Sequence, residues 1–314
     1  MPIRQKIAES LSQKIKTTDF WFHCVLYACL GASLMPITLW VAHNTESQSR
    51  LFNALIVLTF ACVMLIRFGH VEIIKPLQLN RTALRYLWSA YGLLLLSILA
   101  QFFAPLQEGL LATVISLLAI PAYCFALGSF ILFVFGEGTK RVTKTATITL
   151  CAFLLLSIFM EPLDWPLRTL AGKWSGAALA TIGQTVEIGL QKLTESGAPN
   201  LILLVNGHPF NVAAECNGFG VILTSLLLAL LLAIYRRLSI FDTALNLIAG
   251  IILGFIFNTL RIVIIVLLAP SLMSHYHLMH EIVGFITYWG CLILVWRLLN
   301  GPVNDEPVMP TSQQ

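Results

Sequence analysis

Charge is scarce in this chain: 11% of its 314 residues are Asp, Glu, Lys or Arg, against roughly 25% in an average soluble domain. With 58% of the residues hydrophobic, too little polar surface is left to wrap a water-soluble core. The seven cysteines form no CxxC pair and no metal-type spacing, which argues against a redox motif or a zinc ribbon. Internal repeats and inverted halves, common in transporters, are also missing. Nor does the net charge of +4 point to nucleic acid, because the positions of the basic residues explain it better as a topology signal.

What the chain has in abundance is long apolar blocks, several reaching the ~20 residues needed to cross a bilayer. Read against their charged flanks, they give about eight spans: Phe20–Ala42, Leu51–Ile66, Tyr86–Ala104, Leu110–Phe135, Thr145–Met160, Gly218–Ile234, Ala244–Ala269 and Glu281–Leu298. The expected fold is an all-α, polytopic integral membrane bundle with a small external cap between spans five and six. Residues 1–160 form an N-terminal membrane region of about five spans, 161–299 a cap plus about three spans, and 300–314 a disordered cytoplasmic tail rich in proline and polar groups. The first span is too long, and lacks a clean small-x-small site, to be a cleaved signal. Within the cap, Leu179, Ile182, Val186, Leu190 and Leu193 are spaced by three and four, which predicts an amphipathic helix at the interface. Leu201–Val205, Asn206-Gly207 and Phe210–Ala213 then read as a hairpin.

Orientation follows from Lys and Arg. Fourteen fall on one side of the eight-span layout, at positions 4, 6, 14, 16, 67, 75, 81, 85, 140, 141, 144, 236, 237 and 297. Four fall on the other, Arg50, Arg168, Lys173 and Lys192. The bias puts both termini in the cytoplasm and the cap outside.

Three polar features then collect at one depth on the outer side. Cys216, in AAECNGFG, is the cysteine outside an apolar run, just before span six. Arg261 lies within span seven in NTLRIVII, one helical turn after Asn258. A charge there costs ~2.5–3.5 kcal/mol at a helix centre, so it is a candidate for function, although a long side chain can also snorkel to the interface. His280 opens span eight in MHEIVGF. A thiol becomes nucleophilic when its thiolate is stabilised, and a helix N-terminus, an imidazole and a guanidinium could each do so. Gly218 lets backbone approach a substrate closely. His275, His277 and His280 could alternatively ligate zinc, but the HExxH pattern that starts at His280-Glu281 fails at Gly284. No metal and no cofactor are expected.

Cysteine-Asn-Gly before one span, NTLR in the next and HEIVG at the start of the last resemble, in order, spacing and side, the exosortase and archaeosortase family of membrane transpeptidases. The resemblance covers about Met160 to Leu298. It implies a catalytic triad of Cys216, Arg261 and His280, accompanied by Asn258 and Gly284, in a cysteine peptidase or transpeptidase of the bacterial inner membrane. Asn217 stands where that family commonly has Ser or Thr, as in a divergent subfamily. The implied partners are secreted proteins ending in a sorting motif of Pro-Glu-Pro type, an apolar helix and a basic cluster, presented in the lipid bilayer. Two other classes remain: a transporter or channel that uses Arg261 and His280 for an anion or protons, and a non-catalytic component of a polysaccharide export system.

Overall fold

The structure is a computed structural model that describes residues 3–39, 49–68, 71–73, 75–103, 117–158, 160–191, 200–212 and 218–302. The chain divides into two compact units, residues 1–157 and 158–314.

The first unit is helical: α1 (Ile3–Lys14), α2 (Thr18–Ser33), α3 (Ser49–Phe68), α4 (Arg81–Phe103), α5 (Ala119–Phe135) and α6 (Lys140–Ile158). Leu30, Leu34, Leu87, Ala90 and Ala122 of α2, its C-terminal flank, α4 and α5 form a buried core. Three hydroxyls inside this apolar unit are satisfied between helices. Tyr27 Oη lies 2.8 Å from Ser129 Oγ, which donates to the Ala83 carbonyl at 2.8 Å, and Tyr91 Oη donates to the Leu26 carbonyl at 2.6 Å. In a medium without water such internal pairing is required, since an unmet polar group is penalised.

The second unit contains α7 (Met160–Thr181), β1 (Val186–Gln191), β2 (Asn200–Val205), β3 (His208–Val212), α8 (Phe219–Tyr235), α9 (Ile240–Leu268) and α10 (Tyr276–Leu299). The all-α expectation is therefore corrected: the fold is mainly helical and carries a three-stranded antiparallel sheet in the order β1-β2-β3. The expected hairpin is present. Asn206 and Gly207 both take positive φ, 51° and 81°, as a two-residue primed turn requires, and Val205 pairs with His208 across it. Ala213, the last residue of that expected hairpin, lies outside the described residues.

The amphipathic helix expected over Leu179 to Leu193 is not formed across Val186–Gln191, which is strand β1 instead. Gly183 ends α7 in the left-handed region at φ 84°, and Asn206 Oδ1 then accepts from the Thr185 amide at 3.0 Å and from its hydroxyl at 2.9 Å. Val186, Ile188 and Leu190 also alternate with Glu187, Gly189 and Gln191, so the period-two reading wins once β2 is available as a partner. Leu201, Leu203 and Val205 of β2 are buried in a cluster with Ala171 and Leu179 of α7 and Ile262 and Val266 of α9.

Among the described residues, four helical stretches are long and apolar enough to cross a membrane: Arg81–Leu99, Glu137–Ile158, Ile240–Ser271 and Met273–Leu299. Asn53–Phe68, Ala119–Phe135 and Phe219–Tyr235 are shorter apolar helices. On α9 the two faces separate cleanly. Gly250, Gly254, Asn258, Ile262 and Val266 are buried, while Ile248, Ile252, Ile256 and Leu260 are exposed at the same four-residue spacing. An exposed aliphatic stripe of that length suits hydrocarbon rather than water.

Candidate active site

The site is assembled on α8, α9 and α10 by close backbone packing. On α9, a Cβ added to Gly250 would lie 2.9 Å from the Ser225 carbonyl oxygen, and one added to Gly254 would lie 2.8 Å from Ile222 Cα. Ser225 Oγ donates to the Gly250 carbonyl at 2.8 Å, tying the two helices where they are closest. Small residues at such contacts let helices approach in a membrane. The same buried stripe continues to Asn258, which packs on Gly218, the residue before α8. A Cβ there would fall 2.5 Å from Asn258 Cγ and 2.9 Å from Asn258 Cβ. Gly218 also has φ 76°, which an L side chain seldom adopts. Glycine at 218 thus meets two demands together, left-handed backbone and no room for a side chain.

One turn after Asn258, Arg261 projects toward α10. Its Nη2 lies 3.4 Å from His280 Nε2. A guanidinium only donates, so Nε2 is the acceptor in this contact and the imidazole carries its proton on Nδ1. Gly284, one turn after His280, lies under the guanidinium plane. A Cβ added at Gly284 would be 3.2 Å from Arg261 Nη2 and 3.3 Å from both Cζ and Nε. Arg261 and His280 are both half-buried, so the pair is partly shielded from solvent. Tyr276, one turn before His280, lays its ring beside the imidazole with centroids 6.2 Å apart and planes inclined at 32°. Below the site, Tyr288 Oη donates to Thr224 Oγ1 at 3.2 Å, joining α10 to α8.

Five of the seven residues singled out in the sequence therefore meet in two linked contacts, Gly218 with Asn258 and Arg261 with His280 and Gly284. Cys216 and Asn217 lie outside the described residues. Among the described residues no three His, Cys, Asp or Glu side chains come together as a metal site, so His275, His277 and His280 do not form the alternative zinc triad. The Tyr276 contact was not anticipated, although its four-residue spacing to His280 was available as a signal.

The family model described as transmembrane exosortase (Exosortase_EpsH) matches residues 40–297. The chain belongs to the transmembrane exosortase family. It is accordingly a membrane protein, in keeping with its apolar helices. No curated protein and no solved structure matches this chain. Membership of the exosortase family spans both units, whereas the motif residues all fall in the second.

Proposed function

We propose that this exosortase-family protein is a cysteine transpeptidase that cleaves the C-terminal sorting signal of secreted proteins at the outer face of the bacterial inner membrane. In this reading the chain crosses the bilayer about eight times with both termini cytoplasmic. Residues 1–160 are its N-terminal membrane region, 161–299 its catalytic region with an external cap, and 300–314 a cytoplasmic tail. The observation that carries the reading is the Arg261–His280 pair seated over Gly284, beside an Asn258 that grips Gly218. Cys216 is two residues upstream of Gly218, so covalent geometry holds its Cα within about 7.6 Å of that anchor.

Each residue has a part to play. The Cys216 thiol passes its proton to His280 Nε2 and its sulfur attacks the scissile carbonyl, forming a C–S bond and a tetrahedral oxyanion that Arg261 stabilises with its charge and N–H donors. His280 delivers a proton to the leaving nitrogen as the C–N bond breaks, leaving a thioester on Cys216. An acceptor amine, another nucleophile or water then attacks the thioester, His280 takes its proton, and the thiolate is released. The Arg261–His280 contact presents Nε2 as an acceptor, the form that can take the Cys216 proton. Asn217, in place of Ser or Thr, bears on which sorting motif is accepted. The substrate class is a secreted protein still held by its C-terminal apolar helix and basic cluster.

Co-expression with such a substrate tests this through Cys216→Ala, Arg261→Ala and His280→Ala made singly. All three should abolish processing while the protein remains in the membrane. A transporter or channel would lose function with Arg261 and keep it without Cys216, and a non-catalytic export component would tolerate all three.

A further inference from the structure

A cavity of about 950 Å³ opens in the first unit, remote in sequence from every motif residue, between α1, the C-terminal end of α3 and residues 71–73 and 75–78. Lys6, Lys14, Arg67 and Lys75 line it, with Glu9 and Glu72. Two more cations than anions surround one space. Among the described residues, no ion pair within 4.0 Å joins these four cations to either carboxylate. Their charge is therefore left for something else.

The walls are built rather than incidental. Ser10 Oγ of α1 donates to the Pro76 carbonyl, pinning the helix to the 75–78 segment. Leu77 N donates to the Val134 carbonyl of α5 at 3.4 Å, fixing the segment's other side. Lys75 and Leu77 have φ of 49° and 56°, conformations that bulky residues rarely hold, and strain of this kind gathers at ligand clamps. Lys75 is itself one of the residues that line the cavity. The lining is partly apolar as well: Ile66, Val71, Ile73 and Pro76 belong to it, and Ile66 is exposed.

We propose that this cavity binds the headgroup of an acidic phospholipid such as phosphatidylglycerol. The phosphodiester sits among Arg67, Lys75, Lys6 and Lys14, headgroup hydroxyls donate to Glu9 or Glu72, and the acyl chains leave along the apolar rim of Ile66, Val71 and Ile73. Basic pockets at the ends of membrane helices take acidic headgroups in this way, with each nearby Lys or Arg worth ~1 kcal/mol. A free inorganic anion would use the same cations and would have no use for the rim. All four lining cations belong to the basic-rich side of the sequence, so the headgroup and the basic loops share one leaflet. The inference stands apart from the catalytic reading, since it involves none of those residues.

The test is native mass spectrometry of the delipidated full-length protein in a zwitterionic detergent, titrated with phosphatidylglycerol, phosphatidylcholine or inorganic phosphate. Phosphatidylglycerol should be retained roughly tenfold or more tightly than phosphatidylcholine. Arg67→Gln with Lys75→Gln should remove that preference, while Arg85→Gln with Lys144→Gln, exposed cations outside the cavity, should leave it intact. Equal binding of the two lipids, equal loss with both variant pairs, or complete displacement by inorganic phosphate would overturn the proposal. If the Arg67/Lys75 variant does not fold, Glu9→Gln with Glu72→Gln supplies the answer: by removing two negative charges it should tighten phosphatidylglycerol several-fold, and unchanged or weaker binding would refute the site.

Discussion

At the scale of single residues, the geometry around Arg261 separates charge from shape. A lysine would keep the charge and lose the planar fork that presents several donors together. Arg261→Lys is therefore expected to lower the rate of substrate processing by about 10²–10³, the loss typical of a removed oxyanion donor, with little change in membrane abundance. Gly284→Ala tests the seat beneath the guanidinium. The added methyl would lie 3.2–3.3 Å from three guanidinium atoms, tight enough to shift the group. A shift of ~1 Å in a catalytic group can cost 10²-fold in rate, so processing should fall by at least tenfold while thermal stability changes by less than about 1 kcal/mol. Gly218→Ala should behave differently. It meets both a positive φ and the Asn258 side chain, and a loss of about 1–3 kcal/mol of stability is expected, read as a lowered unfolding midpoint in detergent. Arg261, His280 and Gly284 were legible in the sequence because their motifs are local and their spacing is helical. The partnership of Gly218 with Asn258 was not, since 40 residues separate them and nothing in either segment names the other.

Among the elements, α9 organises the second unit. Its buried stripe serves α8 with Gly250, Gly254 and Asn258 and serves the sheet with Ile262 and Val266. The consequence is that helix packing and site geometry are one problem. Gly254→Leu would force α8 away from α9 at Ile222, destabilising by about 1–3 kcal/mol and lowering processing even though residue 254 touches no site residue, which a stability curve and a processing assay on the same variant would register together. Long apolar blocks predicted α9 and α10 well, because a helix that spans a bilayer records its length in its sequence. The sheet was half legible. Asn206-Gly207 marked the hairpin through its turn chemistry, but Val186 and Leu190 satisfied helical and strand spacing alike. What decided was long-range pairing with β2, and pairing partners leave no local trace.

At the scale of the molecule, four helical stretches among the described residues are long and apolar enough to span a membrane, and three shorter apolar helices accompany them. The basic residues sort fourteen to four across the proposed eight-span layout. That layout places Cys216 outside. A membrane-impermeant maleimide added to intact cells should label Cys216 in a variant whose other six cysteines are replaced; labelling that needs permeabilised cells would reverse the orientation. The central claim, acyl transfer through Cys216, is reached most directly by mass spectrometry of the full-length protein after incubation with a sorting-signal peptide. The account predicts an acyl adduct on the peptide containing Cys216, released by hydroxylamine and absent from Cys216→Ala. Undiminished peptide cleavage by Cys216→Ala, with no adduct on the native protein, would contradict it.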